Sequence, residues 1–347
     1  MENEIFLLGL GVACTLLLTW GFKALPRERW QILAAIPVYK NGDGAWRGVN
    51  LTFYGLFTAN AMAVAALLLV IMLGSLGLSL HEVGIVLLPL FSLCTPAASL
   101  VARIVEKKQY TFTVAGAFFV GLIAAPWLVM AANLALGPQI QLPVLAVCSA
   151  LSVAYAFGEG LGRLACISFG CCYGKPITKC PPAMQKIFAH HCFSFSGTTK
   201  KASYESGLEG TRLVPVQALT AIIYLACGLA CLYLFLSGWF ATALIISLAV
   251  TQGWRAFSEF LRADFRGGGS LTAYQWMALI SVVYAGFMAL WLPGSAPAPM
   301  LLNGLSLLWD PWVLILLQGL WVVVLLYTGR SKVTASTISF QVMQDRI

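Results

Sequence analysis

The 347-residue chain is 60% hydrophobic and only 10% charged, with a formal net charge of +8. A soluble domain carries about 25% charged residues, so this composition excludes an ordinary water-soluble enzyme. On so apolar a chain the positive balance points to anionic lipid head groups rather than nucleic acid.

The chain starts acidic, Met1-Glu-Asn-Glu. A cleavable signal peptide starts positive and ends in a small-residue cleavage site, so residues 5–22 are expected to be a retained transmembrane helix. Runs of roughly 20 apolar residues, the length that crosses a bilayer, then recur at 51–76, 83–103, 111–134, 143–166, 213–237, 239–261, 271–292 and 311–329. The expected fold is all-α: a polytopic helical membrane protein with about nine transmembrane helices. No internal repeat is visible, and the longest polar insertion is 167–212.

With nine spans, every Lys and Arg falls on one side. They lie in the connector Lys23 to Arg47, in the turn Arg103, Lys107 and Lys108, and between Arg163 and Arg212. The rest are Arg255, Arg262, Arg266 and the tail residues Arg330, Lys332 and Arg346. The opposite connections, near 77–82, 135–142, 238 and 293–310, have none. The positive-inside rule puts this basic face, with the insertion, in the cytoplasm and the N-terminus outside. There Cys171, Cys172, Cys180 and Cys192 would stay reduced.

Three constellations carry potential chemistry. Glu159 and Arg163 are four residues apart, so they share a helical face with the acid first. Gly158, Gly160 and Gly162 around them allow close helix packing. Ionisable groups within a span are costly and face a cavity or a partner, so the pair is either a structural lock or part of a site. The second set is Arg255, Glu259, Arg262 and Asp264, of which Arg255, Glu259 and Arg262 are read as one helical face. Two guanidinium forks there suit a phosphate, while a snorkelling helix end is the plainer reading.

The third set is the cysteines. Cys166 follows Arg163 by three positions, and a thiol beside a guanidinium gains nucleophilicity. Cys171 is equally open to a reactive or a packing role, whereas Cys172 and Cys192 read as small packing residues. A zinc site from Cys171, Cys172, Cys180, His190, His191 and Cys192 fits no standard spacing. No metal and no cofactor are expected. Tyr54, Gln217 and Gln275 are polar groups inside apolar spans, suited to helix-to-helix hydrogen bonds or to lining a pocket. His81 reads as a solvated loop residue.

At these positions the sequence resembles the bacterial prolipoprotein diacylglyceryl transferase family. That family's signature has the form Gly-Arg-x-Gly-Asn-x-x-x-Gly-Glu-x-x-Gly. It is similar to Gly162-Arg163-Leu-Ala-Cys166 continuing to Gly170-Cys171-Cys172-Tyr173-Gly174. The later Arg, Glu-Phe, Arg and Asp resemble Arg255, Glu259-Phe260, Arg262 and Asp264. Phe53-Tyr54-Gly55, Pro215-Val216-Gln217 and Gln275 resemble further family motifs in the same order.

The chain departs from the pattern where the signature Asn is Cys166, the signature Glu is Cys171, and two family histidine positions are Val114 and Val214. The resemblance implies a transferase of the bacterial cytoplasmic membrane, with a phosphatidylglycerol-like donor and an unknown acceptor. It also implies a core at 50–292, with 1–49 and 293–347 each adding a helix. Arg163, Arg255, Glu259, Cys166 and Cys171 would be catalytic. Tyr54, Glu159, Gly162, Gly170, Gly174, Gln217, Arg262 and Gln275 would bind substrate. Glu259 would orient Arg255. The missing histidine leaves a non-catalytic phospholipid-binding or assembly protein open as the alternative.

Overall fold

The computed structural model describes residues 1–107, 113–137, 141–264 and 271–347. Lys108, Arg266 and the first residues of the expected span 111–134 lie outside the described residues. In chain order the elements are α1 (Glu2–Ala24), β1 (Ile32–Lys40), β2 (Trp46–Thr52), α2 (Phe53–Ser75), α3 (Leu80–Glu106), α4 (Val114–Leu136) and α5 (Val144–Phe169). There follow α6 (Pro182–Ile187), α7 (Lys201–Ser206), α8 (Val216–Leu236), α9 (Phe240–Ser258), α10 (Ala273–Trp291), α11 (Leu301–Leu307), α12 (Pro311–Gly329) and β3 (Arg330–Ile338).

Among the described residues nine helices are long and apolar enough to span a membrane. They are the nine expected from the apolar runs, and the chain is a multi-pass membrane protein.

α5 is the centre of the bundle, flanked by α2, α8 and α9, with α1 against α8 and α5. Of its membrane-spanning window 83% is buried, against 17% for α1 and 11% for α12. Small residues set how close its neighbours come. A Cβ on Gly158 would stand 3.0 Å from Ala65 of α2, and one on Gly160 would stand 3.0 Å from Leu225 of α8. Gly162 is different: a Cβ there would meet only Ala61, at 4.0 Å, so close helix approach does not explain it.

Gly55 at the start of α2 lies against the backbone of Gly329 at the end of α12, leaving no room for a Cβ. Trp321 Nε1 donates to Asn60 Oδ1 at 2.7 Å along the same seam. Pro89 and Pro96 in α3 and Pro126 in α4 sit inside apolar helices. Membrane helices tolerate such prolines because neighbours re-satisfy the freed backbone groups.

The segments flanking the spans add a small sheet to this mostly helical fold. The connector after α1 is an antiparallel hairpin, and β3 adds to it to give the order β1-β2-β3. Ala35 pairs with Asn50, and Gly48 with Ser336. Asn50 Nδ2 donates to Thr334 Oγ1 at 3.1 Å. The connection 293–310 also folds: α11 packs on the far end of α2, where Met300 N donates to Ser75 O at 2.8 Å.

The insertion 167–212 forms a compact head with Phe195 and Tyr173 fully buried. It is tied to the bundle by Lys200, whose fully buried ammonium donates to Leu25 O at 3.1 Å and Ser168 O at 2.5 Å. Both carbonyls belong to helix C-terminal ends, where a cation is favoured. Burial pushes this ammonium down to about 8, with Glu28 opposing the shift. A neutral amine keeps two N–H donors, enough for both carbonyls.

Candidate functional site

Tyr155, Glu159 and Arg163 follow one another at four-residue intervals, so α5 presents them on one face. Arg163 pairs with Glu159 within the helix. Arg255, from the last turn of α9, reaches the same carboxylate with Nη1 at 3.7 Å from Oε1. Its Nη1 also donates to Tyr155 Oη at 3.1 Å, and the Tyr155 ring stacks on Phe118 of α4 at 3.9 Å between centroids.

One carboxylate thus holds two guanidinium groups from two helices, all three side chains about nine-tenths buried. The Nε–H groups of Arg163 and Arg255 are buried and have no acceptor among the described residues. Buried polar groups are nearly always satisfied, so two such donors beside one carboxylate are available to an acceptor from outside the protein.

α9 ends at Ser258, so the single helical face expected for Arg255, Glu259 and Arg262 does not form. A 3₁₀ turn, Glu259–Leu261, carries the chain to an extended Arg262. Arg262 binds Asp264 with both forks, Nε to Oδ1 at 2.8 Å and Nη2 to Oδ2 at 2.6 Å. Glu259 Oε1 lies 3.8 Å from Arg262 Nη1. Glu259 acts on Arg255 electrostatically, while the direct contacts of Arg255 come from Tyr155 and Glu159.

Arg163, Arg255, Glu259, Arg262, Gln217 and Cys172 line a narrow cavity of about 10 Å³, with Thr220, Tyr224, Trp254, Ser258 and Val216 completing the wall. This is room for about one water, so a larger ligand requires the side chains to part. Around it Tyr224 Oη donates to Thr251 O at 2.6 Å, and Trp254 Nε1 donates to Thr220 Oγ1 at 2.9 Å.

The remaining expected residues stand as follows. Cys166 is buried one turn beyond Arg163, with its Sγ 3.9 Å from Arg163 Nη1. Gly170 caps α5 in the left-handed region at φ 72°. Cys171 O accepts from Gln217 Nε2 at 2.8 Å, while Gln217 Oε1 is buried without a partner among the described residues. Gly174 forms an isolated antiparallel bridge with Arg262 and packs on the backbone of Val214.

Tyr54 is not in the cavity lining, but it interacts electrostatically with Arg163, Cys166, Cys171 and Cys172, and its ring is 5.6 Å from that of Phe169. Gln275 is also outside the lining. It closes a capping box with Thr272 at the start of α10 and donates to Ala256 O at 3.0 Å. That role fixes where α10 meets α9 and needs no ligand.

Cys172, read from the sequence as a packing residue, has two features of its own. It lines the cavity and adopts φ 57°, a conformation costly for a side chain with a Cβ, which a plain packing residue does not require. Sequence reasoning missed Tyr155, Tyr224 and Trp254. Tyr155 was findable, because it precedes Glu159 by the interval that separates Glu159 from Arg163.

No curated protein matches the chain. The family model described as prolipoprotein diacylglyceryl transferase matches residues 45–291, a stretch that contains every side chain lining the cavity. The match covers most of the sequence, and with nine apolar helices around an arginine-bearing centre the chain belongs to the prolipoprotein diacylglyceryl transferase family, which makes it a membrane transferase of that kind.

Proposed function

We propose that this chain transfers a diacylglyceryl group from an anionic, phosphatidylglycerol-like phospholipid to an acceptor, with Arg163 and Arg255 receiving the phosphate. The observation that carries this reading is the pair of buried Nε–H donors without acceptors among the described residues, on two arginines that converge on one carboxylate. Transfer breaks the bond between the glyceryl carbon and a phosphate oxygen. The acceptor's nucleophilic atom bonds to that carbon, the electron pair leaves with glycerol phosphate, and the acceptor's proton passes to the departing phosphate or to water. Guanidinium groups fixed in a dry site stabilise the charge that develops on the leaving phosphate. Glu159 keeps the two arginines together until the phosphate arrives, and no step needs the thiols of Cys166 or Cys171.

We read residues 50–292 as the transferase core and the helices within 1–49 and 293–347 as additions. The one-sided Lys and Arg distribution supports a cytoplasmic basic face in a bacterial inner membrane. A second reading, phospholipid binding without turnover, is favoured by the carboxylate already occupying both arginines and by a cavity wall without histidine.

Untargeted lipid mass spectrometry separates the two. The strains are a deletion, the deletion with the wild-type gene, and the deletion with Arg163→Ala. The transferase reading expects a lipid or lipidated product that only the wild-type gene restores. Matching profiles in all three strains, with phospholipid still co-purifying, would favour binding alone.

A further inference from the structure

The end of α5 reverses sharply. Gly170 is left-handed at φ 72° and Cys172 at φ 57°. Cys171 N donates back to Cys166 O at 3.0 Å. The reversal folds the two adjacent cysteines onto the last turn of the helix, and the sulfurs of Cys166, Cys171 and Cys172 all lie within 4.8 Å of one another. The hydrogen bond from Gln217 of α8 to Cys171 O holds the turn in place.

Two features make this more than packed sulfur. First, the spacing is near that of a coordination set: metal–sulfur bonds of about 2.3 Å place neighbouring sulfurs roughly 3.8–4.0 Å apart, so a small contraction closes the set. Second, the cluster is ringed by cations. Arg163 Nη1 is 3.9 Å from Cys166 Sγ. Arg262 interacts electrostatically with Cys172, and Lys201 with both Cys171 and Cys172. Three thiolates and a divalent ion carry a net charge of −1, and the neighbouring cations, though each is also paired with a carboxylate, lie close enough to interact with it. The strained Cys172 backbone is then explained as the conformation that brings the third sulfur into range.

We propose that Cys166, Cys171 and Cys172 form a three-sulfur site for one thiophilic d10 cation of the zinc class. An all-sulfur donor set selects such ions and rejects magnesium and calcium, which take oxygen ligands. Because Cys172 also lines the arginine cavity, the ion would sit in the wall shared with the phosphate position. The site stands on its own geometry and does not depend on the transferase reading.

The test is a cadmium titration of the full-length chain in detergent, reduced with a non-thiol reductant and stripped by chelator. Ultraviolet sulfur-to-cadmium charge-transfer absorption is the readout. The expected result is one equivalent bound by the wild type, with the band lost in Cys171→Ser and Cys172→Ser. The band should persist in the Cys227→Ala/Cys231→Ala variant, which removes the other close thiol pair, 3.8 Å apart. Absence of the band in the wild type would overturn the proposal whatever the variants do. Its persistence in Cys171→Ser and Cys172→Ser would overturn it equally. Monodisperse elution and an unchanged melting temperature show that loss of the band is not loss of fold.

Discussion

α5 and α12 are both apolar helices, yet they use their apolarity in opposite ways. α12 carries no charge along its length, and Leu316 and Val323 stand 57% and 65% exposed to the surrounding lipid. α5 is interrupted by glycines and by Glu159 and Arg163, and its window is 83% buried by protein. In a bilayer the lipid is as apolar as leucine, so hydrophobicity alone draws no helix inward. Small residues and satisfied polar groups do. The helix with the charges is central for that reason.

That contrast predicts unequal costs. Removing the carboxylate by Glu159→Ala leaves two buried guanidinium groups facing one another, and breaking a buried pair costs about 3–5 kcal/mol. Thermal or denaturant unfolding in detergent should register this as the largest loss. Anionic phospholipid should restore more stability to Glu159→Ala than to the wild type, since phosphate can take the carboxylate's place. Equal restoration would count against the anion position.

The seam between α2 and α12 should come next. Gly55→Val drives a side chain into the Gly329 backbone, an overpacking that costs about 1–3 kcal/mol. It should displace α12 while leaving the arginine site working, and a cysteine crosslink between positions 60 and 321 would report the displacement.

Lys200 gives a pH signature. Its folded value of about 8 lies below its ordinary value of 10.5. Between these values the folded chain binds fewer protons than the unfolded one, so stability rises with pH across that window and is flat in this respect below it. The rise should vanish in Lys200→Met, which loses the two carbonyl hydrogen bonds as well. The smallest effect is expected at Leu316→Ala on α12, within about 0.5 kcal/mol, because lipid replaces the lost contacts. A loss there as large as at Glu159 would undo the comparison.

The nine spans are legible in the sequence because run length and lack of charge are local properties. The Glu159–Arg163 pair is legible for the same reason, since helical periodicity alone sets the two residues on one face. The sheet is not. β1 and β2 form a local hairpin, but the strand that completes them begins at Arg330, and no local pattern announces a partner so far away.

The site was half visible. Arg163 and Arg255 stand out as charges in grease, but their meeting at Glu159 depends on how α9 crosses α5. The cysteine cluster was hidden by its own spacing. Adjacent residues ordinarily point apart, and only the left-handed turn at Cys172 brings both sulfurs back to Cys166. Gln275 is a polar residue in an apolar span whose hydrogen bonds close the cap of α10 and join it to α9, outside the cavity.

The three-stranded sheet has a consequence for biogenesis. β1 and β2 leave the ribosome before α2 and every later span, whereas β3 follows α12. Until then β2 waits with one edge open, a row of donors and acceptors that can pair with any passing strand. The edge is closed only after the chain has threaded its way across the bilayer and back to the same side. A chain that stalls, or inserts one span too few, delivers β3 late or to the wrong side. The sheet is thus complete only once the last span is in place.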